Sequence, residues 1–105
     1  MFPKIYRLSR EEIGEISKKG SAKHTPFFSI RSLDLKQPHF KCAFVISKKE
    51  CKLSVDRNRA KRRARMALRG LLPNIPPLNF IVYVKKIAIT ADLGEMVEEF
   101  KKILA

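Results

Sequence analysis

The sequence predicts an α+β fold in which helices pack on a β-sheet. The chain has 105 residues, of which 45% are hydrophobic, so a single domain spanning residues 1–105 can bury a small core. Segments with the two-residue period of strands alternate with segments that have the period of helices. One strand precedes the central helix and another follows it, which predicts a β–α–β crossover and a sheet covered by helices.

The first predicted element is a helix that begins near residue 9. Ser9 and Glu12 have the spacing of a capping box. The helix would turn Ile13 and Ile16 inward and end at Gly20.

Residues 21–47 predict two strands. Residues 21–26 indicate either a loop or a short extra strand near Lys23. Residues 27–33 have the composition of a strand. One of its faces would carry Phe28 and Ile30, and the other Phe27, Ser29 and Arg31. After a turn, residues 40–47 alternate again, and one face would carry Phe40, Cys42, Phe44 and Ile46.

The second half of the chain predicts a helix, a strand and a last helix. The central helix would run from about Leu53 to Gly70 and Pro73. Its inner stripe would consist of Ala60, Ala64, Ala67, Leu68 and Leu71, and Leu53 would be in phase if the helix begins that early. Residues 79–85 suit a buried strand. A last helix would begin at Thr90 or Asp92, with an apolar face of Leu93, Met96, Val97, Phe100, Ile103 and Leu104.

Positive charge is concentrated on the central helix and just before it. The chain has 23 Lys and Arg against 10 Asp and Glu, a net charge of +13. Residues 47–69 contain ten basic and two acidic side chains, a net charge of +8. Because like charges repel along a helix unless phosphates lie nearby, this segment predicts a nucleic-acid-binding surface. Arginine can donate two hydrogen bonds to one phosphate and can stack on unpaired bases, which favours structured RNA as the ligand. Charge alone does not exclude DNA.

Other classes of protein fit the sequence poorly. Prolines interrupt the longest uncharged stretch, residues 70–84, so we expect neither a transmembrane helix nor, from the first residues, a signal peptide. Cys42 and Cys51 match no zinc site or disulfide framework, which favours a reducing, cytoplasmic location. His24 and His39 have no evident carboxylate partner. We therefore expect no catalytic residue, no metal site, no membrane contact and no small-molecule substrate.

The basic segment resembles the motif of a known family. It reads Ser47-Lys48-Lys49, a spacer, then Arg57-Asn58-Arg59-Ala60-Lys61-Arg62, with Arg65 further along the helix. This arrangement resembles the signature of the bacterial ribonuclease P protein subunit, and the similarity extends over nearly the whole chain. It implies an α–β–β–β–α–β–α sandwich with a four-stranded sheet and a left-handed β–α–β crossover, a fold also found in a ribosomal protein domain.

The resemblance also implies a function. The family's subunit joins a catalytic ribonuclease P RNA, and the complex removes the 5′ leader of precursor tRNA by hydrolysis that depends on Mg²⁺ held mainly by the RNA and the substrate. The protein would thus be part of an enzyme whose catalytic groups come from RNA. By position, the implied RNA-binding residues are Ser47, Lys48, Lys49, Arg57, Asn58, Arg59, Lys61, Arg62 and Arg65.

The sequence departs from the family pattern where the leader cleft is expected. The first helix usually presents aromatic residues there, but Ile13 and Ser17 match those positions best, and Arg31 stands where an aromatic residue is frequent. We expect guanidinium stacking and phosphate pairing to replace aromatic stacking. The spacer 50–56 is also one residue longer than usual, so the turn that aims the lysines is expected to differ. The expected cleft residues are Ile13, Ser17, Phe27, Ser29 and Arg31.

Two other functions stay open at this point. A general binder of structured RNA, or a ribosome-associated module, would have the same basic helix but would not respond to a tRNA leader. A nuclease made of protein alone would need a cluster of carboxylates to hold Mg²⁺. The sequence favours it least, because the acidic residues fall mainly in the first and last helices.

Overall fold

A four-stranded mixed sheet and three α-helices form the framework of the protein. The computed structural model describes residues 4–71 and 74–104. The elements are α1 Arg10–Lys19, β1 Ser21–His24, β2 Phe28–Leu33, β3 Lys41–Val45, α2 Ser54–Arg69, β4 Asn79–Val84 and α3 Leu93–Leu104, with short 3-10 helices at Lys4–Tyr6 and Lys86–Ile89. The α–β–β–β–α–β–α order confirms the predicted fold class, and the strand near Lys23 is present.

The strand order places β4 inside the sheet and makes α2 a crossover helix. The order is β1-β2-β4-β3. β2 pairs antiparallel with both β1 and β4, whereas β3 and β4 are parallel. Parallel neighbours cannot be joined by a tight hairpin, so the chain crosses between them through α2. The basic helix therefore lies in a β–α–β unit, as predicted.

One face of the sheet packs against α2 and α3. Strand alternation turns a set of buried residues to this face: Phe28, Ile30, Cys42, Phe44, Phe80, Val82 and Val84. The two helices contribute a second buried set: Ala60, Ala64, Ala67, Leu68, Met96, Phe100 and Leu104. The rings of Phe28 and Phe100 stack with centroids 4.1 Å apart, a contact that contributes about 1 kcal/mol beyond burial. The inner stripe of α2 consists of small alanines and Leu68, whereas Arg59, Arg62 and Arg69 on the same helix are exposed.

The other face of the sheet is covered in part by α1. This helix contacts β2 and β4, and Ile16 and Ile81 are buried outside the main core. The predicted capping box is present: the N–H of Glu12 donates to Ser9 Oγ, and the N–H of Ser9 donates to the Glu12 carboxylate at 2.8 Å. The helix ends at Gly20, as predicted.

A cluster of polar side chains joins the start of α1 to the sheet. The Glu12 carboxylate also accepts hydrogen bonds from Gln37 Nε2 and from Lys41 Nζ, and fully buried Asn79 donates to Gln37 Oε1 at 3.4 Å. Burial opposes the ionisation of Glu12. The hydrogen bonds from Ser9 and Gln37 and the charge of Lys41 outweigh it and lower the pKa of this carboxyl.

Several boundaries differ from the predicted ones. β2 begins at Phe28 and not at residue 27. α2 begins at Ser54, so the helix does not start early enough to place Leu53 on the inner stripe, and Leu53 is 65% exposed. Asp92 caps α3 by accepting the N–H of Glu95 at 3.0 Å, and Pro73 lies outside the described residues.

Over residues 4–71 and 74–104, no helix has the length and apolar character needed to cross a bilayer, and the cytoplasmic location stays a prediction.

Candidate nucleic-acid interface

Five polar side chains of α2 border a depression of about 450 Å³ along the helix, which we call the α2 basic face. Its lining is Asn58, Lys61, Arg62, Arg65, Met66 and Arg69, so it carries four cations and no acidic side chain. Four of the predicted RNA-binding residues therefore lie together: Asn58, Lys61, Arg62 and Arg65.

Arg57 and Arg59 have different environments, although the sequence predicts the same role for both. The Arg57 guanidinium donates from Nη1 to the carbonyl of Cys51 at 3.0 Å and to that of Lys52 at 2.8 Å. Arg59 is exposed and, within the part of the chain that the structure describes, has no hydrogen-bond or ion-pair partner. Neither lines the α2 basic face. Arg57 therefore fastens the segment before α2 to the helix, while Arg59 is available to a ligand.

Arg63 also serves the fold. Its Nε donates to the carbonyl of Ala88 at 2.9 Å, and its Nη2 donates to the carbonyl of Ala91. These bonds attach α2 to the segment that joins β4 to α3.

The turn after β3 presents the two predicted lysines to solvent. Ser47 Oγ accepts the N–H of Glu50 at 3.1 Å, and the Glu50 carboxylate accepts the N–H of Lys86 at 2.8 Å. The turn is thus held to itself and to the end of β4. Lys48 and Lys49 are exposed on it.

A groove crosses the face of the sheet opposite α2 and α3. Its larger part, of about 450 Å³, lies between β2, β4 and the turn after β3. A smaller part, of about 280 Å³, continues toward β1. Ser29 and Tyr83 are neighbours in the pairing of β2 with β4 and line both parts. We call this feature the sheet groove; its lining also includes His24, Arg31, Val45, Ser47 and Lys85.

The predicted leader-cleft residues divide into two groups. Ser29 and Arg31 line the sheet groove, and Arg31 Nη1 donates to the carbonyls of Ser17 at 3.1 Å and Gly20 at 3.3 Å. The Arg31 guanidinium is thus bound to the C-terminal end of α1. Half-buried Ile13 and exposed Ser17 belong to α1 and are not among the groove-lining residues.

The predicted position of Phe27 is wrong. Phe27 precedes β2 and is buried in the same core cluster as Phe28 and Ile30. Its backbone carbonyl accepts the N–H of Lys85 at 3.0 Å. Because the residue lies outside the strand, alternation does not place its ring on the groove face.

Tyr83 is the central groove residue that the sequence did not single out. Residues 79–85 predict a buried strand, and within β4 the other five residues are buried, whereas Tyr83 is 38% exposed. Val45 pairs with it across β3 and β4 and is 43% exposed. The sequence signal for Tyr83 is the two-residue period of a strand, which places Ile81 and Tyr83 on the face opposite to their neighbours in the chain. Ile81, on the same face, is buried, so the period alone does not reveal which residue the groove exposes.

The two cysteines line neither the α2 basic face nor the sheet groove. Both thiols, Cys42 and Cys51, are free and buried. Burial raises the pKa of the Cys42 thiol to about 12, and the charge of Arg65 offsets this only in part. Among the described residues, no group of three or more His, Cys, Asp or Glu side chains is placed to hold a metal ion. These residues do not fit a Mg²⁺ site held by the protein alone.

Known proteins are similar to this chain over nearly all of its length. The family model described as Ribonuclease P matches residues 2–105. The chain belongs to the ribonuclease P protein family. The Ribonuclease P protein component of Exiguobacterium sp. is 33% identical over 95% of this chain and 88% of the relative. That of Pseudanabaena sp. is 33% identical over 100% of this chain and 93% of the relative.

A solved structure of the family supports the fold. The RNase P protein of Staphylococcus aureus superposes with a TM-score of 0.77 at 24% identity, covering 94% of this chain and 92% of that one. The two chains therefore share one fold over nearly the whole of this chain.

Proposed function

We propose that this protein is the protein subunit of ribonuclease P. It binds the catalytic RNA through the α2 basic face and holds the 5′ leader of precursor tRNA in the sheet groove. The RNA carries out the hydrolysis that produces the mature tRNA 5′ end, and the protein raises substrate affinity. The observation that carries the proposal is that two surfaces of different character lie on opposite sides of one sheet.

The α2 basic face suits the backbone of a folded RNA. Four cations line it, and Arg59 adds an exposed fifth on the same helix. Each phosphate that a cation neutralises adds roughly 0.7 to 0.9 to the slope of log affinity against log salt. Four such contacts would give a slope of about 3, which is dominated by charge and nearly independent of sequence.

The sheet groove suits a single strand with exposed bases. The partly exposed ring of Tyr83 offers a stacking surface beside Val45, and stacking of one base on an aromatic ring contributes about 1–3 kcal/mol. Lys48 and Lys49 lie on the turn whose Ser47 and Glu50 line the groove, where the two lysines can neutralise leader phosphates. Because Arg31 is bound to the end of α1, Tyr83 carries the stacking in this proposal.

Mg²⁺ belongs to the RNA and the substrate in this proposal. Within the described ranges, no carboxylate cluster fits the ion, so we assign no step to a metal held by the protein. The contribution of the protein is electrostatic: its cations reduce phosphate repulsion and so lower the Mg²⁺ concentration at which the two RNAs associate.

The test is cleavage of precursor tRNA at low Mg²⁺ by a bacterial ribonuclease P RNA. We expect the folded protein to stimulate leader removal by the RNA and to cleave nothing alone. A Lys61→Ala, Arg62→Ala double variant should need more protein for half-maximal stimulation. A folded protein that leaves the RNA-only rate unchanged would refute the proposal.

A general RNA-binding or ribosome-associated module is the alternative. It would bind ribonuclease P RNA, ribosomal RNA and other structured RNAs with similar affinity, since all present phosphates to the α2 basic face. It would also bind precursor and mature tRNA equally. The affinities of the RNA–protein complex for precursor tRNA and for mature tRNA distinguish the two functions. A higher affinity for precursor tRNA supports the ribonuclease P subunit, and equal affinities support the general RNA-binding module.

A further inference from the structure

A small pocket lies where residues 6–8 meet β3, the edge strand of the sheet. Residues 6–8 run beside β3, where Arg7 forms a parallel bridge with Cys42 and the N–H of Leu8 donates to the Cys42 carbonyl at 3.4 Å. Between this segment, β3 and α2 lies a space of about 230 Å³. It is smaller than the roughly 300–1,000 Å³ of pockets for drug-sized ligands. The size suits one flat heterocycle.

The chemistry of the pocket combines flat apolar surface with positive charge. Phe44 forms part of its wall, and the Arg65 guanidinium lies over that ring, 5.6 Å from its centroid. Arg7 also lines the pocket and is exposed. None of the described lining residues is acidic. The pocket therefore offers a planar cation for stacking and two charges for a phosphate.

The pocket is continuous with the α2 basic face. Arg65 lines both the pocket and the depression along α2. An RNA strand whose phosphates follow Lys61 and Arg62 along the helix arrives at Arg65 and meets the opening of the pocket. Charge complementarity favours an anionic occupant over an apolar or cationic one. Among anions, the flat guanidinium of Arg65 favours an RNA strand, because a base can stack on it.

We propose that the pocket between residues 6–8, β3 and α2 receives one unpaired nucleobase of the RNA bound along α2. The base stacks on the Arg65 guanidinium, and Arg7 pairs with the adjoining phosphate. This inference rests on the proposed function, because it takes RNA as the ligand of α2. It adds an anchor that reads an extruded base, whereas the α2 basic face reads phosphates only.

The test uses AMP and ribose 5-phosphate as probes of the full-length protein, followed by backbone amide NMR. AMP should cause saturable shifts at residues 7–8 and 42–44, and ribose 5-phosphate, which lacks the base, should bind about tenfold or more weakly. Arg65→Lys keeps the charge but removes the plane. It should weaken AMP binding about tenfold, while the control Arg10→Lys, at an exposed arginine that lines neither the pocket nor the α2 basic face, should not change it.

A second pair of variants tests the phosphate contact. Arg7→Gln should weaken AMP binding, whereas Arg10→Gln, an exposed arginine outside the pocket, should not. Equal binding of AMP and ribose 5-phosphate, or AMP shifts confined to other residues, would overturn the proposal. Either result would leave the proposed function intact if ribonuclease P RNA still binds with a steep salt dependence. Loss of that RNA binding in the unmodified protein would instead refute the proposed function.

Discussion

Arg57 and Arg59 should differ in what they contribute, although they belong to one sequence motif. Arg57→Ala removes a charged donor that bonds to the carbonyls of Cys51 and Lys52. Arg59→Ala removes an exposed cation. We therefore expect Arg57→Ala to lower the free energy of unfolding and Arg59→Ala to lower RNA affinity with little effect on stability.

The magnitudes follow from these contacts. A hydrogen bond from a charged donor contributes about 1.5–3 kcal/mol. Because Arg57 is only half-buried, we take about 2 kcal/mol for both bonds together, which corresponds to about 10 °C in Tm for a domain of this size. Arg59→Ala should stay within about 0.5 kcal/mol of the unmodified protein and reduce the salt slope of RNA binding by roughly 0.7 to 0.9.

Thermal unfolding followed by circular dichroism measures the first effect, and RNA binding at several salt concentrations measures the second. Binding must be compared at a temperature where every variant is folded. Equal loss of stability in both variants, or an Arg57→Ala protein as stable as the unmodified one, would refute the division of roles.

Three further predictions concern the framework. Gly20→Ala should destabilise the fold by about 1–3 kcal/mol, because a Cβ there would lie 2.6 Å from the Ile16 carbonyl oxygen and 2.8 Å from Arg31 Cγ. At Gly14 a Cβ would have nothing within 4 Å, so Gly14→Ala should stabilise the helix by up to about 1 kcal/mol. Denaturant titrations measure both effects. The pKa of Glu12 is lowered from its ordinary value of 4.5. The ionised carboxylate therefore stabilises the fold at a pH above 4.5, and this contribution is lost as the pH falls. The difference in unfolding free energy between the unmodified protein and Glu12→Gln should shrink in acid, and a constant difference would contradict the assignment. Cys42, with a pKa of about 12 in the folded protein, should resist alkylation at pH 8 until the protein unfolds, and rapid labelling of the native state would contradict its burial.

Much of the framework was predictable because local rules and tertiary packing agree. The capping box at Ser9 and Glu12 is present. The alanine stripe of α2 is buried as its period predicts. On the predicted apolar face of α3, Met96, Phe100 and Leu104 are buried, and Leu93, Val97 and Ile103 are partly buried against the same core. The alternation in residues 40–46 places Phe40, Cys42 and Phe44 in the core.

The site was less predictable, because side-chain partners distant in sequence decide it. Arg63 binds carbonyls near residue 90, and Arg31 binds the end of α1, but no spacing rule pairs an arginine with those carbonyls. Phe27 is expected on the groove face but is buried in the core, because β2 begins one residue later. Tyr83 is expected to be buried but is exposed in the groove. The motif identified the helix that carries the charge, and packing determined which of its arginines face outward.

The central claim is that the two surfaces divide the binding of two RNAs, and leader dependence tests it most directly. The measurement is the affinity of the reconstituted RNA–protein complex for precursor tRNAs with a leader of several nucleotides or of a single nucleotide. Tyr83→Ala should remove about tenfold of the advantage of the longer leader, with unchanged affinity for the ribonuclease P RNA, and Tyr83→Phe should retain the advantage. The Lys61→Ala, Arg62→Ala variant should show the reverse pattern. A Tyr83→Ala protein that keeps the full leader advantage, or that loses affinity for the catalytic RNA instead, would contradict the account.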